Sequence, residues 1–278
     1  MLDVLKFLAA PFAACLILVT ILGYFGIHVL RREVIFVDLA LAQIAAMGAV
    51  VAFIFGHEPG SVPSFVFSLG ATVIGAAIFS LSRARQVRVP QEAIIGITYD
   101  VTSAATILVA DRAPEGAEHL RELLAGAILW TTWPAVGKIL LVTLAVGALH
   151  LWLGRRFIGI TERVEQAFSE GVRVRWWDFV FYVSFGLVIT VSVEIAGVLM
   201  VFAYLVAPAI IAIVSSDRWT ARIAIAWALG ALASVAGLVA SYRWDLPSGP
   251  AIVCSLGLLL LIFAAVRSLR VSGESPLG

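Results

Sequence analysis

Charged residues are scarce in this sequence. Only 13% of its 278 residues are charged, whereas an ordinary soluble domain carries about a quarter. Hydrophobic residues make up 62% of the chain, and the mean hydropathy is +1.04. This balance excludes an ordinary soluble domain and indicates a chain that lies in a lipid bilayer.

Cysteine is also rare. The two cysteines, Cys15 and Cys254, both fall inside apolar runs and are far from any C-x-x-C spacing. Buried cysteine commonly behaves as a small apolar residue. We therefore expect neither a disulfide nor a cysteine-based metal site.

Several motifs that carry chemistry are missing. No G-x-x-x-x-G-K-[ST] phosphate loop occurs, and the Gly137-Lys138 pair lacks the upstream glycine of that loop. The H-E-x-x-H and G-x-S-x-G motifs are absent as well. No basic face interleaved with aromatic residues indicates a nucleic-acid partner. The chain is therefore expected to hold no tightly bound cofactor and no nucleic acid.

Long apolar runs fill most of the chain. Crossing about 30 Å of hydrocarbon takes about 20 mostly apolar residues in a helix. Nine runs fit this requirement: 4–27, 34–56, 62–82, 91–110, 134–153, 178–194, 196–214, 219–240 and 249–267. They predict an all-α polytopic membrane protein with a single transmembrane domain over 1–278. The weakest boundary is at 193–197, where one long helix with a re-entrant piece would leave eight spans.

The distribution of basic residues predicts the orientation. In the nine-span arrangement, 14 of the 19 Lys and Arg residues fall on one side of the membrane. Basic loops are enriched on the cytoplasmic side. The N-terminus is then outside and the C-terminus is cytoplasmic.

Two segments lie outside the predicted spans. The external segment 111–133 has acidic residues interleaved with leucines at helical spacing, which predicts a short amphipathic helix. The acidic side of this helix could be an ordinary solvated surface or a vestibule that attracts cations. Within it, Glu118 and His119 are candidate metal ligands, since imidazole and carboxylate together suit zinc or manganese.

The cytoplasmic segment 154–178 predicts one short helix over 162–170. Thr161 is expected to cap its start, and Gly171 is expected to end it in a left-handed conformation. Its apolar stripe, with Gly171 at the end, forms the candidate coupling element: Val164, Ala167, Phe168 and Gly171. The stripe could dock in a groove on another protein or lie on the inner membrane surface.

Polar groups inside the spans are the other candidate site. A carboxylate deep in a bilayer costs several kcal/mol and should face the protein interior. Asp100 lies about ten residues into a 20-residue span, near the midplane. Gln43 is also deep, whereas Asp38 lies near the cytoplasmic end, where we expect it to pair with Arg31 or Arg32. Gln43 and Asp100 are candidates for lining a transport path, with Asp38 as an anchor.

Five runs in chain order resemble segments of the permease subunits of zinc/manganese-type ABC importers, the ABC-3 family. They are GIHVLRREVIF with DLALAQIAAMG (26–48), ELLAGAILW (122–130), EQAFSEG (165–171), EIAGVLMVFAYLVAPAIIA (194–212) and DLPSGPAIV (245–253). Gly197 and Pro208 stand in place for the Gly-Val-Leu-Leu…Pro-Ala segment of that family. The order of the runs makes the resemblance more specific than any single run.

The resemblance implies a homodimer of permeases in the bacterial inner membrane, moving divalent metal ions as cargo. It also implies two cytoplasmic ATPases that bind the ATP, and an extracytoplasmic metal-binding protein. The helix around Ala167 would contact the ATPase.

Three positions in the spans depart from the family pattern or vary within it. Gln43 stands where many members have the histidine of an Asp-x-x-x-His pattern, and the carboxylate is at Asp38 rather than at position 39. Asp100 stands where some members carry a histidine. Oxygen ligands favour manganese or iron over zinc.

Other functions remain open on the sequence. An ABC permease for a chelated or organic cargo would fit the missing histidines. A polytopic membrane enzyme could use Asp100, Glu194 and His119, although no second carboxylate or histidine lies close to Asp100 in the sequence. A secondary transporter could use Asp100 as a proton or sodium site, but no clear internal repeat is present.

Overall fold

The chain folds as a bundle of α-helices. The computed structural model describes residues 2–58, 60–83, 89–110 and 128–273. Within these ranges the secondary structure is helical throughout, with short connections. Nine of the helices described there are long and apolar enough to cross a membrane. The predicted all-α polytopic fold is confirmed.

The helices follow the predicted runs closely. In chain order they are α1 (Leu2–Arg31), α2 (Val37–Ile54), α3 (Val62–Ser82), α4 (Gln91–Ala110), α5 (Trp133–Glu162), α6 (Val164–Ser169), α7 (Val174–Ala196), α8 (Val198–Ser215), α9 (Trp219–Trp244) and α10 (Ser248–Gly273). A single 3₁₀ turn, Ile128–Trp130, precedes α5. Most of the external segment 111–133, including Glu118 and His119, lies outside the described residues.

A single glycine separates α7 from α8. Gly197 has φ +77°, in the left-handed region that residues with a Cβ rarely adopt. The break lies between the predicted runs 178–194 and 196–214, so these form two helices. The nine-span arrangement is therefore the one that the structure has.

The C-terminal end of α5 differs from the prediction. The sequence suggested a new helix capped by Thr161, but α5 continues without interruption to Glu162. Thr161 is buried and bonds side chains of α1 and of the connection that follows it instead of capping a helix. These contacts stabilise two further turns of α5 beyond its apolar run. Gly171 does adopt the expected left-handed conformation, with φ +73°.

The centre of the bundle is built around α1 and α7. In the apolar stretch of each of these two helices, 67% of the residues are buried. The corresponding share is 17% in α4 and α10 and 22% in α5. Phe25, Phe181 and Phe185 are wholly buried and pack together between α1 and α7. Gly26 lets α1 approach α8 closely, because a Cβ there would lie 1.9 Å from the Leu205 carbonyl oxygen. Small residues at such crossings are typical of helices packed in membranes.

Contacts between helix ends define the two faces of the bundle. The end of α1, the end of α5 and the start of α9 meet through Arg31, Glu162 and Arg222. The start of α4 contacts α2 through Glu92 on this same face. Lys138 of α5 and Glu194 of α7 meet at the opposite face. The first face is the arginine-rich one, which the basic-residue distribution assigns to the cytoplasm.

Candidate functional site

Gln43 and Asp100 lie at the same depth on neighbouring helices. The Phe36 N–H donates to Glu92 Oε1 at 2.9 Å, which aligns the start of α2 with the start of α4. Both helices cross from the arginine-rich face towards the opposite one. At 1.5 Å per residue, Gln43 lies about 10 Å beyond Phe36 and Asp100 about 12 Å beyond Glu92. The two predicted path residues therefore share one level, well inside the bundle's span.

Both of these side chains are at least partly accessible in the part of the chain that the structure describes. Asp100 is exposed and Gln43 is half-buried, and neither makes a side-chain hydrogen bond or ion pair with the described residues. Thr102 and Ser103, which follow Asp100 in α4, make no hydrogen bond to its carboxylate: Thr102 is buried, and the Ser103 hydroxyl is buried without a partner among the described residues. Asp100 thus presents a free carboxylate at mid-depth on the outer surface of the chain.

Asp38 is placed differently from the prediction. Its side chain is buried, and its Oδ1 has no hydrogen-bond partner among the described residues. The expected ion pair is absent from that part of the chain, because Arg31 pairs with Glu162 and Arg32 with Asp178. Asp38 instead lies in the first turn of α2. There the first backbone N–H groups have no acceptor within the helix.

A buried ion pair holds the arginine-rich face together. Arg32 Nη1 donates to Asp178 Oδ1 at 2.7 Å, and both side chains are fully buried. Arg83 Nε lies 3.6 Å from Asp178 Oδ2 and places a second cation beside the same carboxylate. The sequence placed Asp178 only at the edge of a span, although it lies inside α7, within the second turn. The signal that it carried was a lone carboxylate between two aromatic residues, Trp177 and Phe179.

Two histidines form a buried polar cluster beside this pair. The His28 Nδ1 and the Thr161 hydroxyl are 2.7 Å apart, and the Tyr24 hydroxyl lies 3.1 Å from His150 Nδ1. His150 Nε2 also contacts the Ser184 hydroxyl at 2.8 Å. Sequence reasoning missed His150, although a single histidine in the otherwise apolar run of α5 was a visible signal. These bonds join α1, α5 and α7 on the side of the arginine-rich face.

The coupling element uses its apolar stripe within the chain. Ala167 is 7% exposed and packs with Ile160 and Val174. Val164 and Phe168 are half-buried against the same cluster. The exposed face of α6 is polar and acidic: Glu165, Gln166, Ser169 and Glu170. Most of that stripe anchors α6 to α5 and α7, and its docking on another protein stays a prediction.

At the opposite face, Lys138 and Glu194 close a small crevice. Lys138 Nζ lies 2.6 Å from Glu194 Oε2, and each side chain is more than a third exposed. The crevice has a floor of alanines from α2 and includes Ser64, Ser68 and Thr190. Glu194 is therefore both paired with Lys138 and accessible at this face.

A resident metal site is not formed by the part of the chain that the structure describes. Within those ranges, no group of three His, Cys, Asp or Glu side chains could hold an ion. Asp100 and Gln43 offer oxygen atoms of the kind that manganese accepts. From one chain, however, they provide an incomplete set of ligands.

Known proteins share this architecture. The sequence model described as the ABC 3 transport family matches residues 4–267. The manganese transport system membrane protein MntC of Listeria innocua is 22% identical over 86% of this chain and 83% of its own length. The manganese import system permease protein ScaB of Streptococcus gordonii is 22% identical, over 92% of this chain and 90% of its own length.

Two solved structures have the same fold. PsaBC from Streptococcus pneumoniae, in complex with Fab, aligns with a TM-score of 0.78 and 21% identity, covering 94% of this chain and 93% of that one. The structure titled as an inward-facing conformation of a putative metal-chelate type ABC transporter aligns with a TM-score of 0.68 and 16% identity. The alignment covers 92% of this chain and 84% of that one. At these identities the likeness concerns the fold.

Proposed function

This chain belongs to the ABC 3 transport family, and from that premise we propose that it is the membrane-spanning permease of an ATP-driven importer of divalent metal ions. It is a multi-pass protein of the bacterial plasma membrane and a transport component rather than an enzyme. Relatives named as manganese transport permeases make manganese the first candidate cargo. Iron and zinc are the next candidate cargoes.

The observation that carries this proposal is the free carboxylate of Asp100 at mid-depth. A charged group that faced lipid there would cost several kcal/mol, so this surface of α4 must meet protein or water rather than acyl chains. A second copy of the chain is the simplest covering, and it would place two such surfaces around one central path. Gln43, at the same level on α2, adds an amide oxygen to that path. We therefore propose a homodimer with Asp100 and Gln43 facing the ion.

Weak ligation suits this role. An ion must enter a transport path readily and leave it readily, so few and weak ligands serve better than a closed coordination shell. Two copies of Asp100 and Gln43 would supply carboxylate and amide oxygens from opposite sides. Alternating access would open this level first to the outside and then to the cytoplasm. An extracytoplasmic metal-binding protein would deliver the ion.

The ATPase would dock at α6 on the arginine-rich face. Helix α6 is anchored between α5 and α7 by Ala167, so a push on it would move the ends of two spans. Its outward surface presents Glu165 and Glu170 to a cytoplasmic partner. Asp38 lies near the cytoplasmic ends of the spans and would hold the start of α2 as they move. ATP is expected on that partner chain.

Metal uptake by cells tests the proposal. A strain that lacks this chain but keeps its transport partners is complemented with wild type, Asp100→Asn or Asp245→Asn. Uptake of labelled manganese, iron and zinc is then measured at equal membrane protein level. Asp245 is exposed at the end of α9, in a left-handed conformation that asparagine also adopts. Asp245→Asn is therefore a matched control, because it makes the same chemical change at a position away from the proposed path.

We expect Asp100→Asn to reduce uptake of one metal by at least tenfold, and Asp245→Asn to leave it unchanged. Equal uptake by both variants would remove Asp100 from the path. If wild type restored uptake of none of the three metals, the free-ion proposal would be wrong and a chelated cargo would replace it.

A further inference from the structure

A row of exposed positions runs along α5 from the lipid-facing region to the arginine-rich face. Leu151, Arg155 and Gly159 of α5 and Arg163 at its end follow at intervals of four residues, so they trace a slanted stripe that turns by about 40° at each interval. Leu151 is 88% exposed, and the neighbouring Trp152 is 82% exposed. Gly159 has open space where a Cβ would stand. The row thus joins a lipid-facing apolar surface to a basic one.

The basic end of this row opens into a groove at the ends of α1, α5 and α9. The groove has a volume of about 660 Å³. Its lining holds more positive than negative charge: Arg31, Arg155, Arg163 and Arg222 against Glu162 and Asp217. Arg31 and Arg222 are paired with Glu162, and Arg222 also contacts Asp217. Arg155 and Arg163 make no side-chain hydrogen bond or ion pair with the described residues, so two cations are left over.

The depth of the groove matches the headgroup layer. Helix α5 is 30 residues long, which is about 45 Å and so longer than the roughly 30 Å hydrocarbon core. If Trp133 marks the outer boundary, the hydrocarbon ends near Leu153. Arg155 then lies about 3 Å and Gly159 about 9 Å beyond that level, measured along the helix axis. Trp152 and Trp219 stand near this boundary, where tryptophan is enriched.

We propose that this groove binds the headgroup of an anionic phospholipid of the inner leaflet. The phosphate would lie over Gly159 between Arg155 and Arg163, and the acyl chains would run along Leu151. Continuity with the lipid-facing side of α5 favours a lipid over a soluble anion. The excess positive charge favours an anionic headgroup over a zwitterionic one. A lipid held there would steady the long end of α5, which carries the helix proposed to meet the ATPase.

Native mass spectrometry of the purified full chain in detergent tests this inference without any transport assay. The chain is titrated with phosphatidylglycerol or with phosphatidylcholine of the same acyl chains. One variant carries Arg155→Gln with Arg163→Gln. Its control carries Arg173→Gln with Arg218→Gln, two exposed arginines on the same face outside the groove. Circular dichroism and size-exclusion chromatography establish that each variant is folded.

We expect wild type to prefer phosphatidylglycerol and the groove variant to lose that preference by roughly tenfold or more, since each arginine near an anionic surface contributes separately. The control variant should keep the preference. Equal binding of both lipids by wild type, or an equal loss in the control, would overturn the proposal. Full competition by inorganic phosphate at equal concentration would also overturn it, because the site would then hold a soluble anion.

A second pair of variants covers the case in which the double substitution unfolds the chain. Gly159→Glu adds a carboxylate to the groove, and Gly159→Gln adds nearly the same volume without charge. Both side chains have space, as a Cβ at Gly159 meets no atom within 4 Å. Phosphatidylglycerol binding should fall with Glu and persist with Gln. An equal effect of the two substitutions would contradict an electrostatic headgroup site.

Discussion

Arg32 and Asp178 form an ion pair at 2.7 Å in which both side chains are fully buried. The pair joins the end of α1 to α7, next to the arginine-rich face. Thr161 of α5 accepts a hydrogen bond from Arg32 Nε at 2.9 Å, so three helices meet at one guanidinium. The Phe181 ring lies 3.9 Å from that guanidinium carbon.

Asp178→Ala should destabilise the folded chain strongly. Removing one partner of a buried ion pair leaves an uncompensated charge and commonly costs about 3–5 kcal/mol. Thermal unfolding of the purified protein in detergent measures the effect. Arg32→Met combined with Asp178→Leu should unfold at a higher temperature than Asp178→Ala alone, because the fully buried guanidinium of Arg32 is removed together with its carboxylate and only the partly exposed Arg83 remains. A double variant less stable than the single one would show that the hydrogen bonds of Arg32 outweigh its charge.

The ion pair at the opposite face should behave differently. Lys138 and Glu194 are more than a third exposed, and exposed pairs contribute only about 0–1 kcal/mol. Glu194→Gln is therefore expected to shift the unfolding temperature little. The difference in unfolding temperature between the variant and the wild type should become smaller still when salt is added to both proteins. A loss of stability as large as that of Asp178→Ala would mean that the crevice beneath the pair is drier than its exposure indicates.

Gly26→Ala should separate α1 from α8. The added Cβ would lie 1.9 Å from the Leu205 carbonyl oxygen, a backbone atom that cannot move aside cheaply. We expect a clear fall in unfolding temperature and in yield of folded protein. Gly147→Ala in α5 is the control, as its Cβ meets no atom within 4 Å and alanine favours helix by up to about 1 kcal/mol. Similar losses at both positions would argue against the close crossing at Gly26.

The two faces of α6 should respond differently to substitution. Glu165 is exposed, so Glu165→Arg should reduce co-purification of the ATPase while the unfolding temperature stays near wild type. Phe168 is half-buried against the chain's own cluster, so Phe168→Asp should lower stability as well. Glu58→Arg makes the same charge change at an exposed site on the opposite face and should do neither.

Normal co-purification of the ATPase with Glu165→Arg would exclude the acidic face of α6 as its contact. A fully stable Phe168→Asp variant would instead return the apolar stripe to an external docking role.

The sequence alone predicted the spans well because each one is a long apolar run bounded by charge or glycine. The helix ends at Gly197 and Gly171 could also be predicted, because glycine adopts the left-handed backbone conformation that other residues avoid. The end of α5 was missed because its last turns are polar. Hydrogen bonds of Thr161 with His28 and Arg32 hold those turns in place. These partners are far away along the chain, so the local sequence pattern around Thr161 does not reveal them.

The site was harder to predict for a similar reason. Depth along a helix follows from counting residues, which placed Asp100 correctly near mid-span. Partners across helices do not follow from counting. Arg32 was therefore paired with the nearby Asp38, whereas its true partner is 146 positions away.

That separation along the chain sets an order of events during synthesis. Ribosomes add about 5–20 residues per second, so Asp178 emerges several seconds or more after Arg32. Until then α1 must keep a cation at its end without its carboxylate. The long arginine side chain can reach the headgroup region during this interval. Final seating of the first span in the bundle therefore waits for the seventh helix to arrive.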